Sequence, residues 1–268
     1  MACRNAYKRN EKNDMAIATP TVAKKPEVLP AVTHLLFGVH SEYEANDLLQ
    51  NNIDLFEWAT RNKIYPNFWG RYILGENALT AAEIRYLHDK GCRIAALCRA
   101  EKSKSSEEDA KTFAAKVNAA ATALEIPEGT AIYFEIDSEE VPSRDYLRGF
   151  ASTLVAAGYT PAFKANTDAK YAFDREFSRG MQTDKDIFDK CLIWATAPIL
   201  AEYDQMTTSH LIHPDNWKPF APSAIQRKEI ALWQYGKDCH PIYDDADRKT
   251  VFHLDLVRNP QVITEKMF

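Results

Sequence analysis

Thr130-Ala-Ile-Tyr-Phe-Glu-Ile-Asp137 is an apolar run that ends in two carboxylates one residue apart. Side chains alternate faces along a strand, so Glu135 and Asp137 are expected on the same side. Pro127-Glu-Gly129 ahead of the run reads as a turn, and Ser138-Glu-Glu-Val-Pro142 behind it as a loop leading to a helix. Tyr133, Phe134 and Ile136 imply an interior strand, where carboxyl groups are costly unless something pairs or uses them. The C-terminal tip of such a strand is where α/β barrels carry their chemistry. Two blander readings stand beside this one. Asp137 or Ser138 can cap the following helix, and Glu135, Asp137, Glu139 and Glu140 can be read as oxygen ligands of a divalent cation. Their spacing matches no metal-loop motif, and no metal is expected.

Outward from that strand, the chain alternates strand-like and helical runs. Strands are predicted at Thr33–His40, Phe68–Ile73, Arg93–Arg99, Thr130–Asp137, Tyr159–Ala165, Cys191–Thr196, Ile230–Tyr235 and Val251–Val257. Helical spacing covers Ala81–Lys90, Glu107–Leu124 and Arg144–Ala157. Thr80-Ala-Ala-Glu83 reads as a capping box, and Gly91 and Gly158 stand where helix C-terminal glycines belong. Neither GxGxxG nor GxxxxGK[ST] occurs, so no nucleotide cofactor is expected. The fold class is α/β, a (β/α)8 TIM-type barrel rather than a doubly wound sheet. Residues 197–229 hold Pro198, Pro214, Pro219 and Pro222 with no long helical run, so the last third is expected to be irregular. Residues 1–30 are polar with Pro20, Pro26 and Pro30 and read as a flexible leader. Residues 31–268 read as one barrel domain.

The bulk composition fits a single large core: 268 residues, 46% hydrophobic and 11% aromatic. A formal net charge of -5 argues against a protein built for nucleic acid or an anionic membrane. Cys3, Cys92, Cys98, Cys191 and Cys239 show no zinc-ligand spacing, and their odd number favours free thiols in a reducing compartment. Cys3 is the one expected to be exposed. The N-terminus has basic residues but no continuous apolar stretch of a secretory signal, and no window reaches a membrane span. A soluble chain made in the cytoplasm is expected.

Aromatic and amide groups gather near the predicted strand ends. Trp233-Gln234-Tyr235 closes the seventh strand, Trp194 lies in the sixth, Asn166 follows the fifth and Asp255 lies on the eighth. Aromatic faces stack on sugar rings and amides bind hydroxyls, which suits a glycan, while core packing is the alternative for each aromatic taken singly. His40 ends the first strand beside Ser41 and Glu42. No Gly-x-Ser-x-Gly elbow accompanies it, so it reads as a base or as a hydrogen-bonded structural residue.

Gly129-Thr-Ala-Ile-Tyr-Phe-Glu-Ile-Asp137, Leu154-Val-Ala-Ala-Gly-Tyr-Thr-Pro161 and Leu232-Trp-Gln-Tyr235 together resemble the glycoside hydrolase-like barrel domains. These are divergent relatives of the lysozyme (muramidase) barrels that cut bacterial cell-wall glycan. Phe68-Trp-Gly-Arg-Tyr-Ile73 and Leu79-Thr-Ala-Ala-Glu-Ile84 are similar to that family's second strand and following helix. The resemblance spans residues 33 to 260 and implies an acid pair on the fourth strand, Asp-x-Glu in the family. By position, Asp137 would be the proton donor and Glu135 its partner. This sequence inverts the pair to Glu-Ile-Asp and places His40 where the family carries an Asp in Gly-x-Asp.

The resemblance implies a glycosidase acting on a peptidoglycan-type polysaccharide. The expected catalytic residues are Asp137, Glu135 and His40. Trp233, Gln234, Tyr235, Asn166, Asp255 and Trp194 would bind substrate. Two crowded carboxyls would push one pKa up and divide the acid and stabilising roles, at a separation of about 5–5.5 Å. The alternative is a non-catalytic glycan-binding or scaffold barrel that has lost the acid geometry, which the inverted pair and His40 favour. A metal-dependent phosphodiesterase is a third reading and requires a bound cation. A wall-acting barrel without an export signal fits phage lysis or delivery by a specialised secretion machine.

Overall fold

The computed structural model describes residues 35–49, 52–99, 106–202, 217–239 and 248–268. All belong to the unit Ala31–Phe268. The expected leader, Cys3 and Pro214 lie outside the described residues.

The element order is β1 (Leu36–His40), α1 (Leu55–Arg61), β2 (Phe68–Tyr72), α2 (Ala81–Asp89), β3 (Arg93–Arg99), α3 (Glu107–Ala123), β4 (Ala131–Glu135), α4 (Arg144–Ala156), β5 (Thr160–Ala165), α5 (Ala172–Thr183), α6 (Lys185–Phe188), β6 (Leu192–Ala195), β7 (Ala201–Glu202), β8 (Leu232–Cys239), β9 (Phe252–Val257) and α7 (Pro260–Lys266). Strands β1 to β6 pair in parallel, each with the next. β8 then adds in parallel to β6, and β9 runs antiparallel between β8 and β1, closing the barrel. The two-residue β7 extends the outer part of β8 and is not a stave of the ring.

The closed eight-stranded α/β barrel is the one expected, and all eight predicted strands supply its staves. The last stave departs from (β/α)8 order. β9 pairs with β8 as an antiparallel neighbour, with register shifts along β8, where (β/α)8 order would have a parallel stave. The irregular last third therefore lies in the ring itself.

Alternate residues fill the inside. Phe68, Tyr72, Ala95, Leu97, Ala131, Tyr133, Ala162, Trp194, Leu232 and Val257 form one buried cluster, joined by Ile263 and Met267 from the α7 end. Burial of this kind contributes roughly 25 cal/mol per Å² of apolar surface. Two glycines make room for the large rings. A Cβ at Gly38 would lie 2.3 Å from the Phe68 ring, and one at Gly70 would lie 2.6 Å from His40 Cβ. The opposite faces of the strands pack outward on the helices, as in the Phe134–Phe113–Phe150 and Phe163–Phe177–Phe188 groups.

Local signals set the helix ends. Thr80, Ser106 and Ser143 accept the N–H groups of Glu83, Asp109 and Tyr146. Gly91 (φ 73°) and Gly158 (φ 87°) take the left-handed backbone that stops α2 and α4. The Thr80 box is only half made, because the Glu83 carboxylate turns away to Ala45 N–H and Arg71.

Candidate functional site

The barrel interior changes from apolar to charged towards the C-terminal mouth of its parallel strands. Glu135, the last residue of β4, faces inward, with 19% of its side chain exposed. Its Oε1 accepts from Lys164 Nζ on β5 at 2.5 Å. Its Oε2 accepts from Arg99 Nη2 at 2.6 Å, from Arg99 Nε at 3.0 Å and from the Tyr72 hydroxyl. Arg99 also bonds Tyr72 Oη at 2.8 Å and Glu42 Oε1 at 3.1 Å. Burial by itself would raise the Glu135 carboxyl. The charges of Lys164 and Arg99 and the donated hydrogen bonds outweigh it and hold the pKa well below the usual carboxylate range.

The network continues inward. Lys164, 2% exposed, lies 2.8 Å from His40 Nε2, and His40 Nδ1 lies 2.6 Å from Asp255 Oδ2. An ammonium only donates, so Nε2 accepts and the ring proton sits on Nδ1, donated to Asp255. Trp194 Nε1 donates to the other Asp255 oxygen at 3.0 Å. His253 stacks on the His40 ring, with centroids 4.3 Å apart. Burial first, then the Lys164 charge, keeps His40 well below its ordinary pKa. Burial raises Asp255, opposed by Lys164 and the Trp194 N–H. The result is a chain of alternating partners from Asp255 to the mouth, not a pair of like charges.

This arrangement corrects several expectations. β4 ends at Glu135, with one further bond from Ile136 N–H to Lys164 O at 2.9 Å, and Asp137 sits exposed on the following loop, its Oδ1 accepting the Glu139 N–H at 2.9 Å. The same-face rule for residues i and i+2 applies only within the strand, and Asp137 stands beyond its end, exposed, where Glu135 is enclosed by Lys164, Arg99 and Tyr72. The pKa of Glu135 falls instead of rising, which suits a permanent anion and not a proton donor. His40 is fully buried with both ring nitrogens occupied, so it is not placed as a base.

Among the expected sugar contacts, Trp233 is fully buried, points outward from the barrel and donates to Pro198 O. Tyr235, on the same outward face, is 2% exposed. Stacking on either ring is therefore ruled out in this arrangement. Trp194 is fully buried inside the barrel, and Gln234 lies beside His253. Asn166, half-buried after β5, uses its Oδ1 to accept Asp168 N–H. Asp255 belongs to the polar network, well below the mouth surface.

Tyr72, Arg99, Lys164 and His253 were not anticipated. A signal for two of them was present in the sequence. Arg99 ends a predicted strand, and Lys164 interrupts the apolar run Ala162-Phe-Lys-Ala165 near its end. Among the described residues, no group of three or more His, Cys, Asp or Glu is arranged to hold a metal ion, and no helix is long and apolar enough to cross a membrane. Cys92, Cys98 and Cys191 are free thiols.

Comparison with solved structures finds one that shares this architecture and others that are more distantly similar. An uncharacterized B. stearothermophilus protein is 21% identical, covers 87% of this chain and 100% of its own, and superposes with a TM-score of 0.69. The catalytic domain of endolysin ply40 from Listeria monocytogenes bacteriophage P40 is 12% identical over 87% of this chain and 97% of its own, at TM-score 0.47. The Streptococcus pneumoniae modular autolysin LytC, solved with a synthetic peptidoglycan ligand, is 12% identical over 83% of this chain and 46% of its own, also at 0.47. No curated protein sequence matches. Residues 63–251, more than half of the chain, match the family model described as "Rv2525c-like, glycoside hydrolase-like domain", and the chain belongs to that family.

Proposed function

We propose that this glycoside hydrolase-like barrel recognises a peptidoglycan-type polysaccharide at its mouth and does not hydrolyse it through the Glu135–Asp137 pair. The observation that carries this reading is the state of Glu135. Its two oxygens are bound by Lys164, Arg99 and Tyr72, and its pKa is held down. A glycosidase needs one carboxyl kept protonated and a second kept ionised across the scissile bond. Glu135 meets only the second requirement. Asp137 stands exposed on the loop that follows, its Oδ1 taken by the Glu139 N–H. A mouth that presents Tyr, Arg, Glu and Asn groups is still well suited to binding hydroxyls and amides. Such a protein would reach wall glycan through phage lysis or a specialised secretion route.

A second reading is hydrolysis with Glu135 as the ionised partner and Asp137 as the donor. The observation favouring it is that Glu135 is ionised, hydrogen-bonded and directed at the mouth, as a nucleophile or stabilising anion would be. Calorimetry with purified wall fragments, run beside a reducing-end release assay, separates the two. Binding without release is expected. Release that Asp137→Asn abolishes would establish the second reading, and no binding by any wall glycan would refute both.

A further inference from the structure

Beside the Glu135 cluster, a cavity of about 560 Å³ opens between the loop that follows β2 and helix α3. We propose that it is a subsite for a zwitterionic amino-acid or short-peptide branch carried by the bound glycan. The proposal rests on the glycan reading above and adds which part of the ligand goes where.

The cavity is of the size that takes a small ligand. Tyr72 and Arg99 belong both to its wall and to the cluster around Glu135, so it is continuous with the mouth. Phe113 and Tyr146 supply buried apolar wall, where the carbon chain of a peptide would lie. Tyr146 is 1% exposed, and among the described residues its buried hydroxyl has no hydrogen-bond partner.

The charges give the ligand's chemistry. Arg99 is already engaged by Glu135 and Glu42. Lys116 on α3 and Glu76 on the facing loop also line the cavity, and among the described residues neither is joined to a protein partner. A cation on α3 and an anion on the loop after β2, both lining the cavity, favour a ligand that carries both a carboxylate and an ammonium group. A uniformly anionic or cationic ligand would meet one like charge.

Three probes test this by calorimetry: a bare N-acetylglucosaminyl-N-acetylmuramic acid disaccharide, the same disaccharide bearing a tripeptide with free amine and carboxylate, and the tripeptide alone. The peptide-bearing disaccharide is expected to bind roughly tenfold tighter than the bare one. Lys116→Glu and Glu76→Lys are each expected to remove most of that difference and to leave the bare disaccharide unchanged, while the double charge swap restores it. Thr112→Trp, which fills the cavity from an exposed position, should act like the single reversals. Equal binding of both disaccharides by all variants would overturn the subsite and leave the glycan reading standing. Binding of the tripeptide alone, sensitive to Lys116→Glu, with no binding of the bare disaccharide, would support the subsite and refute the glycan reading. Absence of binding by all three probes would overturn both.

Discussion

Lys164 Nζ on β5 lies 2.5 Å from Glu135 Oε1 on the neighbouring strand β4, and both project into the barrel. The same ammonium reaches His40 Nε2. One lysine therefore joins the anion at the mouth to the imidazole and carboxylate beneath it. In the low-dielectric interior this pairing is what makes the charges tolerable, because each alone would carry a large desolvation cost.

Removing one partner should therefore be expensive. Lys164→Met leaves Glu135 without its main neutralising group and is expected to destabilise the fold by about 3 kcal/mol or more. Glu135→Gln is expected to cost a similar amount. The double replacement should cost clearly less than the two single costs combined. Urea denaturation of the four proteins checks this, and strict additivity would show that the contact contributes nothing.

Acid should weaken the fold in two stages. Burial and the Lys164 charge lower His253 to about 3. Below its ordinary pKa of 6.5 the unfolded chain takes a proton that the native ring refuses. Stability therefore falls as pH drops from 6.5 towards 3, by up to about 1.4 kcal/mol per unit for this one group. His40 acts in the same sense, while Asp255, raised by burial, opposes it. Glu135 adds the second stage: its contribution is complete above the unfolded value near 4.5 and is lost as pH falls through its depressed folded value. Denaturation of His253→Asn between pH 7 and 5 should show a shallower slope than the parent. An unchanged slope would mean that the ring is not held neutral.

How much of this was legible depended on whether the signal was local. All eight staves were readable because each is an apolar run bounded by turn residues. Helix α1 was missed, since Leu55–Arg61 is only two turns long and its Asp54 cap stands before a short apolar stretch. Helix α5 was missed because no side chain caps it at Tyr171, and Gly180 interrupts its pattern. That glycine is required by tertiary packing, as a Cβ there would lie 2.3 Å from the Phe188 ring. The direction of β9 was hidden because a strand's alternation looks the same in either sense. Glu135 could be seen as a mouth residue, but its partner Lys164 lies 29 residues away, and only barrel closure brings in His40 and Asp255.

Trp233 offers a sharp contrast with the expectation of a sugar platform. Its ring packs against Trp217 and Tyr235, and its Nε1 donates to Pro198 O. Trp233→Ala is expected to lower stability by about 3–5 kcal/mol through the cavity it leaves. At temperatures where the variant remains folded, its affinity for wall glycan should match the parent. A selective loss of affinity, with stability intact, would restore the residue to the binding surface.

Arg71 ties together the loops that frame the mouth. Its Nε donates to Glu83 Oε1 at 2.7 Å, its Nη1 to Ser41 O at 3.0 Å and its Nη2 to Asn77 O at 2.8 Å. Both Arg71 and Glu83 are fully buried, and Glu83 also accepts the Ala45 N–H at 2.7 Å. Arg71→Met would strand the Glu83 carboxyl, whose pKa burial already raises against the pull of Arg71, and should cost about 3–5 kcal/mol. Arg71→Lys keeps the charge but cannot make three divergent bonds from one planar group, so an intermediate loss is expected. Replacing both partners, as Arg71→Met with Glu83→Leu, should recover much of the stability, because no buried charge is left alone. The loops would still be released. Hydrogen exchange at the Ala45 amide should therefore quicken in the double variant even as its denaturation midpoint recovers. Recovery of both together would mean that the loops are held by packing and that the clamp is dispensable.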